Sequence, residues 1–133
     1  MVDTDELKGM FIIEKEEYEK SKIEEHIKKI SKFCKTDSSG KVHTEVKGLK
    51  NKEKIKIVLV ARFLANKLEP KIDYNVSIED VATSLGIGEH QSRARLSDLA
   101  KENFASSSER GLYSVIPHKI DEFLNFLEVK IKK

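Results

Sequence analysis

Three of the four arginines in this 133-residue chain, Arg93, Arg95 and Arg110, fall close together in a sequence whose other positive charges, Arg62 apart, are lysines. A guanidinium is a planar fork of donors that can grip two anionic oxygens at once, which a lysine ammonium cannot do. His90, Gln91 and Ser97 stand beside the first two arginines and add hydrogen-bonding groups, while Lys50, Lys52, Lys54 and Lys56 form a separate basic run upstream. The chemistry these residue types offer is recognition of an anion by charge-assisted hydrogen bonds. Acids are interleaved with them. Between Gly88 and Arg110, Arg93, Arg95, Lys101 and Arg110 are matched by Glu89, Asp98, Glu102 and Glu109, so that stretch has no net charge. A basic footprint there has to be completed by the lysines at 50–56 or by a second subunit. The competing reading is that these arginines are solvated or paired with Asp98 and Glu102.

Other chemistries find no support in the spacing. His26, His43, His90 and His118 lack metal-ligand spacing, and Cys34 has no second cysteine, so neither a metal site nor an intrachain disulfide is expected. No nucleophile elbow, phosphate-binding loop or dinucleotide fingerprint occurs, and the serines at 38–39 and 106–108 read as turns. The expectation is a protein without cofactor that is not an enzyme. The lone cysteine points to a reducing compartment. The first residues have no basic segment followed by an apolar run, and the most apolar stretch, 55–68, is broken by Lys56, Arg62, Asn66 and Lys67. No membrane span is expected, and the chain reads as cytoplasmic. Hydrophobic residues at 38% and charged residues at 36% make a polar chain with enough apolar surface to fold. Heavy use of lysine, glutamate and isoleucine suits a prokaryote.

The elements that must position the arginines are read from periodicity. Ile23, Ile27, Ile30 and Cys34 form one helical stripe, predicting a helix over 15–34; 10–13 is either its first turn or a short strand. Asp37-Ser38-Ser39-Gly40 is a turn, and Val42, Thr44 and Val46 alternate as a strand that Gly48 ends. A central buried helix is expected over 51–68, stopped by Pro70. Ser77 and Asp80 form a capping box that opens the next helix, whose inner face is Ile78, Val81, Ala82 and Leu85. Gly86 closes it. A further helix over 88–103 carries Ser92, Leu96, Leu99 and Asn103 on one side. A small polar loop at 105–111 leads to a strand at Tyr113 and Val115, and Pro117 introduces a last helix with Ile120, Phe123, Leu124 and Leu127 inside.

The run from Ser77 to Leu99 resembles the helix-turn-helix of the winged-helix superfamily. Ala82 is small where two helices approach, Gly86 suits the left-handed turn, Ile87 fills the angle between the helices, and Leu96 and Leu99 anchor the second helix. The segment from Lys101 to Val115 resembles the superfamily's wing. Ser92 departs from the pattern, which places an aliphatic residue there. The resemblance covers 50–128. It implies an α+β, mainly helical fold: a winged helix-turn-helix domain at 50–133 behind an N-terminal helical extension at 1–49. It also implies that the helix at 88–103 enters the major groove of DNA and that the wing at 105–113 touches the backbone. Carried over to this chain, the DNA-binding residues are His90, Gln91, Arg93, Arg95 and Ser97, with Arg110 at the wing tip and Lys50 and Lys52 alongside. The expected partner is double-stranded DNA, in a transcriptional regulator or chromosome-associated protein. A homodimer is expected, with the isoleucine stripe as either its seam or an intrachain brace. The alternative is a winged-helix module that contacts another protein and no nucleic acid.

Overall fold

The helix α3 (Asn51–Leu68) presents buried side chains all round: Ile55, Ile57, Val58, Leu59, Val60, Ala61 and Leu64. A helix that is apolar on every side has to be enclosed, and the rest of the chain encloses it. The architecture, from a computed structural model that describes residues 3–131, is α+β and mainly helical. Helices α1 (Thr4–Phe11) and α2 (Lys15–Ile30) lead into a hairpin of β1 (Cys34–Thr36) and β2 (Val42–Thr44). After α3 come β3 (Val76–Ser77), α4 (Ile78–Leu85) and α5 (Glu89–Lys101), then β4 (Ala105–Glu109), β5 (Leu112–Val115) and α6 (Ile120–Ile131). Strands β3, β5 and β4, in that order, make an antiparallel sheet beside α3.

Several boundaries differ from the sequence reading. The predicted helix over 15–34 ends at Ile30, and Cys34 opens a strand paired with Thr44. The pairing takes over because Asp37 holds a tight turn: its carboxylate accepts from the Ser39 N–H at 2.9 Å and the Lys41 N–H at 3.1 Å. Val46 lies outside β2. Neither option for 10–13 holds. Met10 and Phe11 close a separate helix, while Ile12 is extended at φ −111°, in keeping with the poor helical fit of two adjacent β-branched residues. The polar stretch 105–111 is largely strand, since β4 pairs with β5 from Ala105↔Val115 to Glu109↔Leu112.

The isoleucine stripe turns inward. Ile30 and Cys34 are buried, and Ile23 and Ile27 pack against the same core as Ile55, Leu59 and Leu124. That core runs continuously across position 49, since Val42 and Leu49 share it. Polar contacts fix α2 along α6: His26 Nε2 lies 2.7 Å from Asp121, and Lys32 lies 3.5 Å from Glu128. The hydrogen bond from His26, aided by the charge of Lys22, holds the Asp121 carboxyl below its ordinary value. Its contribution is therefore present above the usual carboxylate range and lost as pH falls through the lowered value. Burial pushes the Cys34 thiol up to about 12, so it is an unreactive core group.

Arg62 is the buried charge of α3, 7% exposed. Its Nε donates to the Asp73 carbonyl at 2.8 Å, Nη2 to that of Asn75 at 3.0 Å and Nη1 to that of Gly40 at 3.3 Å. The same Nη1 lies 3.4 Å from the Asp80 carboxylate. Gly40 has φ +92°, so the turn itself calls for glycine; a Cβ there would reach only ordinary contact, 3.4 Å, with the guanidinium carbon. Arg62→Ala should cost about 3 kcal/mol, because it strands the buried Gly40 carbonyl and takes the shared donor from the Asp73 and Asn75 carbonyls and the Asp80 carboxylate. Arg62→Lys should recover little, as an ammonium cannot span three diverging acceptors. Denaturant unfolding of the two variants checks this; wild-type stability in Arg62→Lys would show that charge alone suffices.

Candidate nucleic-acid interface

The pair α4–α5 carries most of the residues that could meet an anion, and local signals set its geometry. Ser77 and Asp80 cap α4 reciprocally, each backbone N–H donating to the other side chain at 3.0 Å. Gly86 ends α4 at φ 68°, and its N–H donates to the Ala82 carbonyl at 2.8 Å. Two residues later Gly88 starts α5. Val81 holds α4 to the core; Ser92, Leu96 and Leu99 hold α5.

Ser92 is fully buried where an aliphatic side chain was expected. Its hydroxyl donates to the Gly88 carbonyl at 2.9 Å, so the polar group is satisfied within its own helix. Asn103 does not continue the inner face. It adopts φ 63°, is exposed and ends the helix, with its N–H on the Ala100 carbonyl (3.2 Å) and the Phe104 N–H on that of Leu99 (3.0 Å). This double bond pattern around a left-handed residue is a Schellman ending. It turns the chain so that Phe104 and Ala105 are buried and β4 leaves toward the hairpin tip.

The predicted contact residues divide by what they already touch. His90, Gln91 and Arg93 are exposed in the first half of α5, and Ser97 is half-buried beyond them. Arg110 is exposed in the turn between β4 and β5. Among the described residues, Arg93 and Arg110 have no ion pair and no side-chain hydrogen bond. Arg95 is engaged: Nη1 lies 3.3 Å from Asp98, and its Nε is buried without a hydrogen-bond partner. Lys52 pairs with Glu102, the residue that caps the far end of α5. Lys50 is exposed at the start of α3, where its N–H donates to Glu53 at 2.9 Å. Burial would raise the Glu53 carboxyl, but Lys130 at 2.9 Å and the Lys50 N–H outweigh it and hold it below its ordinary value. Lys56 lies 4.9 Å from the centre of the Phe104 ring.

The upstream lysines thus gather at the C-terminal end of α5. Arg93 is nine residues before Glu102, about 14 Å along a helix rising 1.5 Å per residue. The structure therefore does not bring Lys52 to the arginine it was expected to reinforce. Glu89 stays exposed at the start of α5, where it opposes an anion approaching the positive end of the helix dipole. The described residues hold no cluster of three or more metal-ligating side chains. No described helix is long and apolar enough to cross a membrane.

The left-handed residue is the feature of this region that periodicity missed, although asparagine is the commonest substitute for glycine in that conformation. Asn103→Ala should destabilise by about 1 kcal/mol, and Asn103→Gly should match or exceed wild type. Thermal melts of both check the turn that aims the hairpin, and equal loss in the two would contradict it. Comparison of the chain with protein-family models, curated proteins and solved structures found no match.

Proposed function

We propose that residues 50–131 form a winged helix-turn-helix domain that binds duplex DNA, with α5 in the major groove and the β4–β5 hairpin as the wing against the backbone. The element order supports this reading: a buried helix, a short strand, two helices joined through Gly86, then a hairpin. The single observation that carries it is the state of the arginines. Arg93 and Arg110 are exposed and unpaired among the described residues, on the two elements such a domain turns toward DNA. In this reading Arg93 grips a guanine edge or a phosphate, Gln91 and His90 flank it, and Arg110 meets the backbone. Arg95 joins by exchanging Asp98 for a phosphate. The protein is then a transcriptional regulator or chromosome-associated protein with no catalytic step of its own.

A second reading, a module that docks on protein, is favoured by the ion pairs Arg95–Asp98 and Lys52–Glu102, which leave few free cations.

Duplex binding followed by fluorescence anisotropy across a salt series separates the two. With roughly 3–6 phosphate contacts, log affinity should fall with log salt at about −0.9 per contact. Arg110→Ala should flatten that slope by about one and weaken all sequences alike. Arg93→Ala should cost about 1–3 kcal/mol, unequally between sequences. Glu89→Gln should tighten binding. If neither Arg93→Ala nor Glu89→Gln moves duplex affinity, α5 does not enter a groove and the protein-docking reading takes its place.

A further inference from the structure

Residues 3–21 form an arm in which nothing is buried: the whole of α1, the linker and the first turns of α2. The arm is nevertheless rich in large apolar groups. Met10 is 81% exposed and Phe11 91%, and Leu7, Ile12, Ile13 and Tyr18 are about half exposed or more. Leu7, Met10 and Phe11 share one face of α1 by their three- and four-residue spacing. Apolar surface of this extent left in water is unfavourable by about 25 cal/mol per Å², and a contiguous patch of it marks an interaction site.

Charge narrows the choice of occupant. Positions 3–21 hold seven acids (Asp3, Asp5, Glu6, Glu14, Glu16, Glu17, Glu19) against Lys8, Lys15 and Lys20, a net of −4. The chain as a whole is +2, so residues 22–133 carry +6. Two arms packed on each other would set like charges face to face. An arm packed on a body would set −4 against +6.

The body has a cleft of matching character, about 380 Å³, between the start of α3, the end of α5 and α6. Phe104, Phe123 and Phe126 make its apolar floor, with the first two rings edge to face at 5.5 Å and Phe126 41% exposed. Lys50, Lys56 and Lys119 stand around it. Of its acids, Glu53 is held by Lys130 and Glu102 by Lys52, while Glu122 has no such pair among the described residues.

We propose that the acidic arm of one copy docks in the lysine–phenylalanine cleft of a second copy, reciprocally, giving a dimer by arm exchange. The α1 face of Leu7, Met10 and Phe11 covers the phenylalanine floor, and Asp3, Asp5 and Glu6 face the lysines. Because the contact is made twice about a two-fold axis, each arm holds the other in place. The inference does not rest on the DNA reading: Arg93, Arg95 and Arg110 lie outside the cleft.

Sedimentation of the full chain tests it, with a thermal melt of each variant to show that the body stays folded, since Phe11 and Phe126 are exposed and Lys119 is half-buried. Wild type should be a dimer whose affinity falls with salt. Phe11→Asp (arm) and Phe126→Asp (cleft) should each raise the dimer dissociation constant by roughly a thousandfold, the effect of losing one central apolar anchor in each of the two symmetric contacts; Lys119→Glu should weaken the dimer in the same direction. Mixing Phe11→Asp with Phe126→Asp should restore a heterodimer, because one chain then supplies an intact arm and the other an intact cleft. A monomeric wild type, a dimer indifferent to Phe11→Asp, or a mixture with no heterodimer would each overturn the proposal; the last would mean that arms pair with arms or dock elsewhere.

Discussion

One buried guanidinium ties the central helix to three other places in the chain. Arg62 projects from the central helix and closes on the turn at Gly40, the loop at Asp73–Asn75 and the first turn of α4 at Asp80. Burying a charge in an apolar helix is unfavourable unless its hydrogen bonds are met. Here all the donors used are aimed at fixed acceptors, so the guanidinium works as a spacer with only one comfortable geometry. Its grip on Asp80 matters most for the rest, because Asp80 also caps α4. From α4 the position of α5 follows through the left-handed Gly86, and from α5 the hairpin follows through the left-handed Asn103.

What could be read from the sequence was local. The Ser77–Asp80 cap, the turn at Gly86, the stop before Pro70 and the inward Leu96 and Leu99 each depend on neighbours within a turn or two, and each appears where the pattern places it. What could not be read depends on distant partners. Cys34 continues the spacing of a helical stripe, and only its pairing with Thr44 makes it a strand residue. The serines of β4 carry no apolar alternation, because they face solvent and are held by β5. Arg62 has mostly backbone carbonyls for partners, which no residue type advertises. Lys52 and Glu102, fifty positions apart, neutralise each other in the fold.

That last effect governs the proposed interface. A count of charges along the sequence treats every arginine and lysine as available, whereas the fold spends Arg95 on Asp98 and Lys52 on Glu102. Among the described residues of α5 and the hairpin, the cations without an ion pair are then Arg93 and Lys101 on α5 and Arg110 at the hairpin tip, and they are few. A surface of this kind suits weak, salt-sensitive contact with a phosphate backbone, steered by position more than by total charge.

The most direct test of that claim is to map backbone amide shifts while a short duplex is titrated into the labelled protein. The account predicts shifts confined to the first half of α5, from Glu89 to Ser97, and to the turn from Glu109 to Gly111. Shifts confined to other surfaces, or none at a large excess of duplex, would contradict it.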